Sequence, residues 1–193
     1  MAQSDQDTIK KAWKHFEKAN VLNIGELATA LKCSIPSARL KIKDWKAFTS
    51  YNHNGRFYTL PHVPRFDRHG LWRYKDIAFS MHGNLKKTVI HLVTSASAGY
   101  TGRQLGELLG LSPRSFLHHF RKCPGICREK QDGVYVYFSD DISEYEKQMW
   151  QRNLIVCRTA VDTISEQEAI MILVAIIRHH GISAVEILAL PEI

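Results

Sequence analysis

The side chains of this sequence that could do chemistry fall into three groups: histidines near cysteines, scattered carboxylates, and two stripes of basic residues. His118, His119, Cys123 and Cys127 lie close together, and a spacing of four can set metal ligands on one helical face. Pro124 and Gly125 break that face before Cys127, and Cys123 shares an inward spacing with Phe116 and Phe120. Cys123 is therefore expected in a core, and no metal or cofactor is expected. Nuclease or transposase chemistry would need carboxylates gathered around a divalent ion. Asp44, Asp67, Asp76, Glu107, Glu129 and Asp132 are scattered instead, with Asp67 expected to pair with a neighbouring arginine. There is no glycine loop to cradle phosphate and no nucleophile elbow, so enzymatic activity is not expected.

The basic stripes carry more information. Arg39, Lys43 and Lys46 recur at i, i+4 and i+7, with Ser37 and Lys41 beside them. Arg114, His118 and Arg121 repeat that spacing, flanked by Ser115 and Lys122. Such donors suit duplex DNA, where lysines neutralise phosphates and Arg, Ser or His can also reach base edges. Residues 1–138 hold 22 of the 26 Lys and Arg but 10 of the 19 Asp and Glu, a net charge of +12; residues 139–193 carry −5. A polyanion is the expected partner of the first part only.

Both stripes sit on the same pattern used twice, at an offset of 78. Leu27, Leu31, Ser34, Ser37 and Gly55 fall on Leu105, Leu109, Ser112, Ser115 and Gly133, while Ala30 and Phe48 fall on Leu108 and Ile126. In the first copy, helices are expected over residues 5–19, 24–31 and 35–45, with Ala38, Ile42 and Trp45 inward. A hairpin follows, from residues 48–51 and 56–60, turning at Asn54-Gly55. The second copy predicts helices over residues 84–96, 101–109 and 113–123, then a hairpin turning at Asp132-Gly133, with Leu117 and His119 on the exposed side. The fold class is thus mainly α with small β-hairpin wings (α+β): two tandem winged helix-turn-helix units, residues 1–60 and 84–138. The third helix of each unit would enter the major groove. Asn54, Arg56 and Lys130 on the wings would add contacts to the backbone or minor groove.

Between the units, residues 61–83 mix Phe66, Trp72, Tyr74 and Phe79 with Arg65, Arg68, Arg73 and Lys75. A passive linker would be rich in Gly and Ser. The aromatics are expected to dock the units, with Arg65 and Arg73 extending the phosphate-binding surface. The run Gly55-Arg56-Phe57-Tyr58-Thr59-Leu60-Pro61, with Phe66-Asp67, Gly70-Leu71-Trp72-Arg73-Tyr74, Phe79-Ser80, Gly83 and Leu85-Lys86, resembles bacterial accessory proteins encoded beside transposases of mobile elements. The resemblance covers about residues 20–140. It implies DNA binding, with any catalytic subunit on a separate chain.

Residues 139–193 are expected to be helical and to serve dimerisation or partner docking, such as a transposase. Leu154, Ile170, Leu173, Ile177, Val185 and Leu188 are the candidate interface. The stretch from residue 166 to 180 is apolar nearly all round and cannot stand alone in water. No apolar run reaches the roughly 18 residues of a membrane span, and four scattered cysteines point to reduced thiols. A cytoplasmic homodimer that binds specific double-stranded DNA as a transcriptional regulator is the expectation. A non-catalytic transposition accessory that recruits an enzyme is the alternative.

Overall fold

A computed structural model of the protein describes residues 2–161 and 165–179. The chain is mixed α and β, with three small antiparallel sheets among the described residues. It opens with α1 (Ala2–Ala19), β1 (Leu22–Asn23), α2 (Ile24–Leu31) and α3 (Ile35–Asp44), then β2 (Phe48–Thr49) and β3 (Phe57–Thr59). Ala12 and Phe16 of α1 meet Leu27, Ala28 and Leu31 of α2, Ala38 and Ile42 of α3, and Leu22 and Leu60. Burial of a side chain such as Phe16 contributes about 1.5–3 kcal/mol, so the helical spacings fix how the three helices pack. In the sheet β3 is central, with Tyr58 opposite Leu22 on one side and Thr59 opposite Phe48 on the other. Its strands are shorter than expected. The turn between them winds through three consecutive left-handed residues, His53, Asn54 and Gly55, rather than the two of a tight Asn-Gly hairpin.

The segment read as a connector is itself folded. β4 (Leu71–Tyr74) pairs with β5 (Ile77–Ser80) in a hairpin on which Trp72 packs against both Tyr74 and Phe79. Phe66, just before it, sets its ring edge-on to Phe48. Among the described residues, Asp67 pairs with no arginine. Its Oδ1 accepts the backbone N–H groups of His69 and Leu71, closing the turn that leads into β4.

α4 (Leu85–Thr94), β6 (Tyr100–Thr101), α5 (Gly102–Leu109), α6 (Pro113–Phe116), β7 (Ile126–Gln131) and β8 (Val134–Ser139) then repeat the order of the first unit. The strand order is also the same, with β8 between β6 and β7. Even the helix ends correspond at the 78-residue offset. Asn23 and Thr101 form capping boxes with Glu26 and Gln104, and Lys32 and Gly110 end α2 and α5 in the left-handed conformation. The close approach of α5 to the start of α6 needs Gly106, where a Cβ would lie 2.7 Å from Cγ of Pro113.

One expectation fails in this unit: no continuous helix runs from residue 113 to 123. α6 stops at Phe116, whose φ is −132°, and a 3-10 turn covers Leu117–Phe120. Phe116 and Phe120 are buried in the core, and Leu117 is drawn over Gly102, where a Cβ would meet its Cδ1 at 2.5 Å. A straight α-helix turns about 100° per residue and would carry Leu117 away from that groove. Leu117 is therefore half-buried, not exposed; His119 is exposed.

α7 (Ile142–Val161) begins where Oδ1 of Asp141 accepts the N–H groups of Ser143 and Glu144, bonds that hold its carboxyl below the usual range. The helix lies on β8, so Val136 to Ser139 are buried in succession: Tyr137 faces the core, while Phe138 meets the ring of Tyr145. Tyr145 donates its hydroxyl to Glu129, which pushes its pKa up to about 12. α8 (Glu166–Arg178) starts from a capping box of Ser165 and Glu168.

Candidate nucleic-acid interface

α3 is divided cleanly by burial. Ala38 and Ile42 face the core and Trp45 is half-buried, while Ser37, Arg39, Lys43 and Lys46 are exposed and Lys41 is partly covered. The helix is held from its first turn, where Ser34 caps the N–H of Ser37 and the two hydroxyls share a hydrogen bond at 2.9 Å. Lys46 lies just beyond the helix with a φ of 51°. Among the described residues, Arg39 and Lys43 have no carboxylate within ion-pair distance.

The rest of the basic set divides differently from expectation. Arg56 and Arg65 are exposed, as is Asn54. The turn that holds Asn54 is tied to the turn between β4 and β5, where Asn52 donates to Asp76 O at 2.7 Å and His53 lies 3.1 Å from the Asp76 carboxylate. Arg73 is exposed as well, but one of its nitrogens is committed to the second unit. Its Nη2 donates to the carbonyls of Glu107 (3.0 Å) and Leu108 (2.6 Å) at the C-terminal end of α5, where a cation meets the last carbonyls and the negative end of the helix dipole. Beside it, the hydroxyl of Tyr51 reaches the Leu109 carbonyl at 2.8 Å, and burial pushes that hydroxyl up in pKa against the pull of Arg73. Arg73 thus joins the two units through one nitrogen, while the residue itself stays exposed.

In the second unit Arg114, His118, Arg121 and Lys122 are exposed, but they ride on the broken segment and do not form one helical stripe. Ser115 is exposed and donates its hydroxyl to Ser112 O at 2.6 Å. Lys130 is exposed on the β7–β8 hairpin. Arg128, which the charge pattern did not single out, stacks over Tyr135 at 4.3 Å on the same hairpin. Lys86, in the first turn of α4, was also missed. It borders a groove of about 610 Å³ shared with Thr49, Asn54 and Gly55 of the first hairpin.

No protein-family model, curated protein or solved structure matches this chain. Among the described residues, no group of three or more His, Cys, Asp or Glu is placed to hold a metal, and no helix is long and apolar enough to cross a membrane. Cys123 is buried, and Cys127 donates to Ser139 O with its thiol pushed up in pKa by burial. Of the candidate interface residues, Leu154 is half-buried on α7, while Ile170, Leu173 and Ile177 are 61%, 58% and 64% exposed on α8. Val185 and Leu188 lie outside the described residues.

Proposed function

We propose that the two repeated units are winged helix-turn-helix modules, and that the chain binds double-stranded DNA in a sequence-dependent way to regulate transcription. The observation that carries this reading is α3: a capped helix whose inner face is fixed by Ala38 and Ile42 and whose outer face offers Arg39 and Lys43. It stands between a bracing helix and a three-stranded sheet. The major groove admits one such helix, and a helix anchored from behind holds its donors at fixed positions. The two units then differ in role. α3 lies in the groove and reads bases. The broken segment of the second unit is too short and irregular to lie there, so Arg114, Arg121 and Lys122 neutralise phosphates and set the register.

The test is fluorescence anisotropy of the full chain on duplexes selected from a random pool, with single-stranded DNA and RNA as competitors. Arg39→Ala should relax base preference at one position, at about 1–3 kcal/mol, whereas Arg114→Ala with Arg121→Ala should weaken all duplexes alike and reduce the salt slope by about 2. Equal affinity for duplex, single strand and RNA would overturn the proposal.

A further inference from the structure

We infer that Leu40 reads the 5-methyl group of a thymine in the major groove; the inference rests on the DNA-binding reading of α3 and names what its centre recognises. Leu40 is 65% exposed, the most open large apolar side chain of this helix. With successive residues turned by about 100°, it stands roughly 180° from the midpoint of the buried pair Ala38 and Ile42. It is therefore the apex of the outward face. Pro36 and Asp44 adjoin it at i−4 and i+4, Ser37 and Lys43 at i−3 and i+3, with Arg39 on one shoulder and Lys41 on the other.

An apex with Arg39 and Lys43 on one side and Lys41 on the other is the point that comes nearest the base-pair edges when those cations sit on the two phosphate backbones. At that depth the donors and acceptors of the bases want polar partners, and the thymine methyl is the group that an aliphatic side chain complements. The second unit supplies a contrast. At the equivalent offset stands His118, and the large apolar residues of its segment, Phe116, Leu117 and Phe120, are all withdrawn into or against the core. The chain covers its apolar side chains where the segment is broken, and leaves Leu40 uncovered where the helix is whole.

The probe is a fluorescein-labelled duplex selected against the full chain, in which each thymine is replaced in turn by deoxyuridine. This change removes the methyl and nothing else from the base edge. The expected result is a weakening of about fourfold at one or two positions, the worth of one methyl-sized group taken out of water. Leu40→Ala should bind the thymine duplex about as the wild type binds the uracil one, and should lose the distinction. Leu40→Met should keep it. Tight binding with no uracil penalty anywhere, or a penalty that persists in Leu40→Ala, would overturn the assignment while leaving DNA binding intact. Capture of a protein partner through Leu40 with no duplex bound would overturn both readings.

Discussion

Gln148 offers the sharpest test of how the C-terminal helix is attached. Its side chain is 1% exposed on α7, and it ties three elements together. Oε1 accepts the N–H of Ser139 at the end of β8 (2.9 Å), and Nε2 donates to Val93 O and Ala96 O at the end of α4, both at 2.8 Å. Gln148→Leu keeps the volume and removes all three bonds. A buried donor left without a partner costs about 1–3 kcal/mol, and each lost bond to a carbonyl about 1 kcal/mol net. Val93 O keeps a longer bond from Ala96 N at 3.3 Å, so one of those losses is partial. The sum is about 3 kcal/mol, which for a chain of this size lowers Tm by roughly 6–12 °C. Thermal unfolding followed by circular dichroism measures it, and exchange of the Ser139 amide should accelerate in parallel. Gln148→Glu adds a check of sign. Its second oxygen, ionised, would face two carbonyls, so the fold favours the protonated acid and stability should recover as pH falls. A Tm within about 2 °C of wild type for Gln148→Leu would refute this account of the attachment.

Two further outcomes concern the joint between the units and the exposed face of α8. Tyr51→Phe should cost about 1 kcal/mol, the net worth of its buried bond to Leu109 O, and unfolding should remain one transition; two separated transitions would show that the units are not one body. If α8 carries a homodimer, Ile170→Glu with Leu173→Glu and Ile177→Glu should halve the mass seen by light scattering, and a wild type already monomeric would refute the dimer. Deleting residues 139–193 would not answer that question, since the deletion also takes Gln148 from beneath the second unit.

Much of the architecture was legible because it rests on local signals. The inward spacing of Ala38 and Ile42, the Ser34 cap and the Asp132-Gly133 turn each declare themselves within a few residues. β1 and β6 did not, because two residues carry no alternation to detect and their pairing depends on β3 and β8 far along the chain. The break after Phe116 was hidden by a spacing that satisfies a helix equally well; what decides it is the groove over Gly102, a tertiary feature. Arg73 shows the same limit for the site. A sequence displays its charge, but the carbonyls that occupy it belong to α5, more than thirty residues on. Gln148 reads as a surface residue of a helix until α4 and β8 are seen to converge on it.

The insertion of Tyr51 into the core of the second unit has a mechanical consequence for the proposed ligand. With Arg73 clamped on α5 and Asn52 and His53 on Asp76, the spacing between the two basic surfaces behaves as a ruler of set length. A duplex whose helical pitch does not match that length must bend or twist to engage both surfaces. The elastic energy of doing so depends on base steps that no side chain touches. On the proposed function, the stiffness of the DNA between the contacts would become part of what the chain discriminates.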